Sequence, residues 1–223
     1  MVANTRQRIL DAAEKLFARQ GFESTSLRSV IANAEVNLAA VHYHFRSKEG
    51  LVRAVIERRF TPVNDERLRL LAKYETQAKN GREFQVEEIL EAFLAPMLRV
   101  GLLHSGRGRL LMQLAGRLLQ ASDGTLEKVA AGEFEQVAAR FIAALQRALP
   151  NLPKREIAWR MNFTIGAAAR ALFGGIPARV LSSASHESLQ ERDVEQVLQR
   201  LICYTAAGMR ATSGSLRSLE IKP

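Results

Sequence analysis

The stretch Thr25–Gly50, TSLRSVIANAEVNLAAVHYHFRSKEG, constrains this chain more than any other, because it writes three helix starts and one tight turn into a short segment. Thr25 and Ser26 offer hydroxyls that can accept an orphan backbone N–H, and Leu27, Val30, Ile31 and Ala34 follow at helical spacing as a buried stripe. Glu35-Val36-Asn37 then supplies a turn, with Val36 as an inward plug and Asn37 suited to cap the next helix. That helix runs from Leu38 to about Phe45. Ala40, Val41 and Phe45 are its inward candidates, and Leu38, Ala39, His42, Tyr43 and His44 form its outer surface. Ser47 caps a further helix, which puts Lys48 at a positive helix N-terminus where backbone amides and an ammonium can clamp one phosphate. Two short helices joined this way make a unit that docks in a DNA groove. Arg28, Lys48 and the Tyr43 hydroxyl are the candidate phosphate contacts, while Leu38, Ala39, Ala40 and His44 are placed to meet base edges or thymine methyls. Ser26, Asn37 and His42 complete the expected DNA-binding set.

The run Tyr43-His44-Phe45-Arg46-Ser47-Lys48-Glu49 resembles the end of the helix-turn-helix in the TetR family of bacterial one-component regulators. The lead-in Arg8-Ile9-Leu10-Asp11-Ala12-Ala13, with Leu16-Phe17 and Gly21-Phe22, is similar to that family as well, so the resemblance spans roughly residues 5–55. Val36-Asn37-Leu38-Ala39-Ala40-Val41 looks most like the branch that includes fatty-acid-responsive regulators. Two positions depart from the pattern: Glu35 stands where the turn usually carries Gly, and His42 where most members carry an aromatic. The resemblance implies a ligand-regulated transcription factor, most often a repressor, that acts as a dimer.

The 223 residues, 47% apolar and 25% charged, suffice for one large or two modest domains with a real core. A formal net charge of +9 favours an anionic partner, because phosphate neutralisation supplies much of nucleic-acid affinity. The single cysteine, Cys203, excludes an intramolecular disulfide and a multi-cysteine zinc site. The N-terminus lacks the basic-then-apolar pattern of a secretory signal, and no apolar run approaches the roughly eighteen residues of a membrane span. A cytoplasmic protein without membrane attachment is expected.

The periodicities predict an all-α chain: a three-helix helix-turn-helix domain over 1–50, a helical ligand-binding and dimerisation bundle over 51–211, and a polar, frayed tail over 212–223. A first helix spans Thr5–Gln20, with Gly21 as its cap and Phe22 folding back onto the small core. Arg6 and Arg8 are expected on its solvated surface. From Ser47 a long helix runs through Phe60, with Pro62 expected to bend or interrupt it, to Tyr74; Asn80-Gly81 marks its end. Val86–Leu103 follows, with Pro96 inside it, and Gly106 and Gly108 are read as the separation from a helix over Leu110–Leu119. Leu126–Leu149, Lys154–Phe173 and Arg192–Met209 complete the set, with a long mobile loop expected over Gly174–Gln190.

Nothing in this pattern suggests an enzyme. There is no Gly-rich phosphate loop after a strand, no nucleophile elbow, and His42 and His44 are two apart on a short helix, so they diverge rather than share a metal. Neither a cofactor nor a metal is expected, and Cys203 reads as a small buried hydrophobe on the last helix. The last two helices carry small and aliphatic faces suited to a four-helix seam with a second copy, and a symmetric dimer would favour a double-stranded operator with inverted half-sites roughly 34 Å apart, or a modest multiple of that when two dimers bind. Phe93, Met97, Met112, Phe134, Phe141, Trp159 and Phe163 supply more large apolar side chains than one seam requires. They are the expected lining of a pocket for a small, largely apolar effector, with Arg109 and Arg117 as partners for an effector anion. The competing readings are a non-specific basic DNA-binding protein and a helical protein-interaction module.

Overall fold

The computed structural model of this protein describes residues 2–79, 83–102, 106–120, 124–173 and 194–212. Among these residues every regular element is a helix, as the periodicities predict. They are α1 (Val2–Gln20), α2 (Leu27–Ala34), α3 (Leu38–Phe45), α4 (Lys48–Lys79), α5 (Val86–Leu102), α6 (Gly106–Gln120), α7 (Gly124–Ala148), α8 (Lys154–Phe173) and α9 (Val194–Arg210). No helix among the described residues is long and apolar enough to cross a membrane. Asn80-Gly81, the stretch Gly174–Gln190 and the tail beyond Thr212 lie outside the described residues.

Two compact units cut across the order of the chain: one holds 1–66 and 99–137, the other 67–98 and 138–223. In the first, Ile9, Ala13, Phe17, Val30 and Val41 are fully or almost fully buried, and the Phe17 and Phe22 rings meet at 5.1 Å, so α1, α2 and α3 share one small core. An ionic cluster joins α1 to α4: Glu14, itself buried, pairs with Arg58 at 3.2 Å and with Arg59, and Asp11 pairs with Arg58 at 2.8 Å. Two cations on one buried carboxylate leave no uncompensated negative charge in the core. Farther along α4, buried Asn64 donates to the Glu133 carbonyl at 3.1 Å, Thr61 donates to the Glu133 carboxylate at 2.9 Å, and Phe60 meets Phe134 edge to face.

In the second unit, Phe93 and Phe141 pack edge to face at 5.2 Å. The Arg67 guanidinium lies 4.3 Å from the Phe93 ring centre and donates to the Phe93 carbonyl at 2.8 Å; burial lowers its pKa to about 10. Helices α8 and α9 pack together. Their joint is Arg160, a buried residue of α8 whose guanidinium donates to the carbonyls of Gly208 at 3.1 Å and of Met209 and Ala211 at 2.7 Å, while Glu156 holds its Nε at 2.8 Å. A helix C-terminus leaves carbonyls without partners and carries partial negative charge, so an arginine there satisfies both at once.

Two expectations about the elements change. Gly106 and Gly108 do not separate helices but form the first turn of α6, where the missing intrahelical N–H partners make glycine a smaller cost than in a helix interior. Pro62 does not interrupt α4, which is helical on both sides of it.

Candidate nucleic-acid interface

Each end of the two short helices is fixed by a specific local contact. Ser26, in extended backbone at φ −89° and ψ 152°, accepts the Ser29 N–H at 3.1 Å and is the cap of α2. Thr25 does a different job: its buried hydroxyl donates to the Gly21 carbonyl at 2.7 Å and closes the turn after α1. Glu35 ends α2 in the left-handed region at φ 50° and ψ 51°, with its N–H directed to Ala32 O and the Val36 N–H to Ile31 O. A side chain at this conformation costs about 1 kcal/mol relative to glycine. Arg8, exposed as expected, donates to the Glu35 carbonyl at 3.0 Å and pairs with its carboxylate at 3.5 Å, so it props the turn from the solvated surface. Asn37 then caps α3 by accepting the Ala40 N–H at 2.8 Å.

The far end of α3 is tighter. Arg46 has φ 67° and ψ −48°, and the Ser47 N–H reaches the Phe45 carbonyl at 2.8 Å, which is a three-residue γ-turn of the rare, positive-φ kind. His42 Nδ1 lies 2.8 Å from the Arg46 carbonyl. Ser47 caps α4, accepting the Gly50 N–H at 3.1 Å, and a Cβ on Gly50 would lie 2.1 Å from the Phe45 carbonyl oxygen. Only glycine allows α4 to begin this close to α3. The Ser47 hydroxyl bonded to the Glu49 carboxylate, helped by the Glu49 amide, holds that carboxyl below the usual glutamate range. Lys48 Nζ donates to the Glu23 carbonyl at 2.9 Å, tying the start of α4 to the connection between α1 and α2.

These joints leave one face uncovered. Tyr43 is 79% exposed and Leu38 51% exposed, both unusually open for large apolar side chains. Ser26, Arg28, Asn37, Ala39 and His42 are also exposed, while Ala40, His44 and Lys48 are half-buried. The His44 ring stands edge-on to Tyr43 at 5.0 Å, which fixes the pair as one block. Arg6 leans over the Phe45 ring at 5.5 Å and so backs the buried side of α3. The face therefore offers methyls, a phenol hydroxyl and an imidazole on a short helix held at both ends, a combination that can meet base edges and phosphate oxygens.

Residues 91–208, more than half of the chain, match the family model described as the tetracyclin repressor-like C-terminal domain, and residues 9–55 match that of bacterial regulatory proteins of the tetR family. The chain belongs to the TetR family. Among TetR-like relatives, the transcriptional regulator UidR of Escherichia coli K12 is 38% identical over 52 residues, 23% of this chain and 26% of UidR. The nicotine-responsive transcriptional repressor HdnoR of Paenarthrobacter nicotinovorans is 45% identical over 49 residues, 22% of this chain and 25% of HdnoR. The chain thus matches about a quarter of the length of these curated relatives. The fold extends further: SmeT, the repressor of the Stenotrophomonas maltophilia multidrug efflux pump SmeDEF, covers 92% of this chain and 91% of its own at 21% identity with a TM-score of 0.58.

The residues expected to line an effector pocket in this TetR-family chain do not share one environment. Phe93, Met112 and Phe141 are buried, and Met97 and Phe134 half-buried. Trp159 and Phe163, by contrast, are 51% and 68% exposed, because the inward stripe of α8 is Ile157, Arg160, Met161 and Thr164. Arg109 is exposed, and Arg117 donates to the carbonyls of Ala18 and Arg19 at the end of α1. Cys203 is exposed rather than buried, one residue before the 72% exposed Tyr204. Sequence reasoning missed Arg8, Arg160 and the Glu14 cluster; each acts on residues 27 or more positions away, so local pattern carried no sign of it.

Proposed function

We propose that this protein is a sequence-specific transcriptional regulator that binds a double-stranded DNA operator through α2 and α3, with residues 1–50 as the docking domain and 51–211 as the effector-binding and dimerisation part. The observation that carries the reading is the uncovered face of α3, where Leu38, Ala39, His42 and Tyr43 stand exposed on a helix capped at both ends. A helix fixed that firmly presents its side chains in one register. In this reading Arg28, Tyr43 and Lys48 contact phosphates, and Leu38, Ala39, Ala40 and His44 meet base edges.

The protein acts as a homodimer, a reading supported by the exposed aromatics Trp159, Phe163 and Phe173 on α8 and Tyr204 on α9. Four large apolar side chains open to water on packed helices suit an isologous seam. Two docking faces related by a twofold axis select an inverted repeat. The protein is a repressor, released when a small, largely apolar effector enters the helical part near Phe93, Met97 and Phe141. The effector must bind the released state more tightly than the DNA-bound one.

Selection of bound duplexes from random sequence tests this function directly. A palindromic motif whose affinity falls steeply with salt is expected, with Tyr43→Ala and Lys48→Ala weakening motif and random DNA by similar factors. Binding without sequence preference would leave a non-specific basic DNA-binding protein, which the net charge of +9 also fits. No binding would leave a helical interaction module.

A further inference from the structure

His42 is exposed on α3, and its Nδ1 lies 2.8 Å from the carbonyl oxygen of Arg46. A carbonyl oxygen only accepts, so Nδ1 carries the hydrogen. In neutral imidazole the other nitrogen, Nε2, is then a lone-pair acceptor; in the imidazolium both nitrogens donate. The Nδ1 bond is the same in both states, and the γ-turn at Arg46 it supports is undisturbed. Protonation therefore changes the ring at one atom, Nε2, from an acceptor that a phosphate oxygen repels to a charged donor that the same oxygen attracts.

We propose that His42 is a proton-linked DNA contact, in which Nε2 takes up a proton as it engages a backbone phosphate, so that DNA binding tightens as pH falls through the imidazole range. This rests on the DNA-binding reading above and adds to it a regulatory variable, pH, and a role for one atom. The segments packed against α3 or continuous with it carry Arg6, Arg8, Asp11, Glu14, Lys15 and Arg19 on α1, Arg28 on α2 with Glu35 after it, His44 and Arg46 at the end of α3, and Lys48 and Glu49 at the start of α4. The carboxylates among them have partners of their own: Asp11 and Glu14 pair with Arg58, Glu14 also with Arg59, Glu35 with Arg8, and Glu49 is held by the Ser47 hydroxyl. An arriving phosphate places a negative charge beside Nε2 in the complex alone, which is what couples proton uptake to binding.

The experiment is a fluorescence-anisotropy titration of the full chain with a labelled random-sequence duplex at constant ionic strength from pH 8 to pH 6, on wild type, His42→Asn and His44→Asn. Asparagine keeps an N–H near the position of Nδ1, so the Arg46 carbonyl retains a donor while the titrating atom is removed. A one-unit rise in the His42 pKa on binding tightens wild type by up to about sixfold per docking face across this range. The salt slope should also steepen by about 0.9 per face at the lower pH. His44→Asn should keep both effects and His42→Asn should lose both. A pH effect that survives in His42→Asn, or wild-type binding that does not vary with pH, overturns the proposal while leaving DNA binding intact; no binding at either pH overturns the DNA-binding reading itself. Imidazole nitrogen-15 shifts of free wild type supply a test independent of any variant: the Nδ1–H tautomer is expected, and an Nε2–H tautomer at His42 overturns the assignment.

Discussion

The helix ends around α3 and the helix end at the close of α9 solve the same problem by opposite means. At the starts of α2, α3 and α4 an orphan backbone N–H is met from three residues away, by Ser26 for Ser29, by Asn37 for Ala40 and by Ser47 for Gly50. At α9 the carbonyls of Gly208, Met209 and Ala211 are met by one guanidinium, that of Arg160, 48 to 51 residues earlier. The local solution fixes a short helix that has little buried area of its own and must keep its outer face free. The distant solution locks two long helices to each other. A short helix offered to a ligand needs its own caps; a helix that is part of a bundle can borrow them.

The sharpest way to break this contrast is Arg160→Met, which removes the one Nη1 nitrogen shared by the Gly208, Met209 and Ala211 carbonyls. About 3 kcal/mol of stability should be lost in urea unfolding; a loss under about 1 kcal/mol would mean that water replaces the clamp. Gly50→Ala comes next. In an ordinary helix this change stabilises by up to about 1 kcal/mol. Here the added Cβ would meet the Phe45 carbonyl, so a loss of about 2 kcal/mol is expected in thermal melts. A rise in melting temperature would show that α4 can retreat from α3 freely.

Glu35→Gly should act in the opposite direction. It relieves a left-handed side chain and gives up only an exposed pair with Arg8, since the carbonyl that Arg8 also bonds remains. A gain of about 0.5–1 kcal/mol is expected, read as a raised melting temperature. The smallest effect concerns Glu87 of α5, whose carboxylate receives two hydrogen bonds from Arg210 of α9. Those bonds, first among the causes, lower its pKa. A lowered folded pKa means the contribution is present above the ordinary glutamate value of about 4.3 and disappears as pH falls through the folded value. Because the pair is largely exposed, Glu87→Gln should cost about 0.5 kcal/mol at neutral pH. At strongly acid pH the variant and wild type should melt together; a difference that persists there would assign the effect to packing.

This contrast also explains what could be read from the sequence. Ser26, Asn37 and Ser47 act on neighbours, and their roles follow from residue type and spacing alone. The bounds of α8, Lys154–Phe173, were legible because Pro153 and Gly174 bracket an unbroken periodic stretch. The face of α8 was not. Trp159 and Phe163 have the composition of a core, and only the burial of Arg160 against α9 shows that the inward stripe lies beside them. An arginine on that stripe reads as solvent-facing until its partners, two score residues and more away, are in place. Cys203 failed for the same reason: its neighbours Ile202 and Tyr204 suggest burial, while Leu201 and Thr205 are the residues that face inward. The γ-turn at Arg46 left no mark at all, since arginine is not a residue that positive φ favours.

The Arg160 clamp has a further meaning for how the chain reaches this state. Closing a contact across 48 to 51 residues requires the chain ends of that loop to find each other first, and the entropy of that search grows with loop length. The caps of α2 and α3 require no such search. The docking helices are therefore expected to gain their native ends early, while the end of α9 stays open until α8 is in position, which makes closure of the clamp a late event in folding and its opening an early one in unfolding.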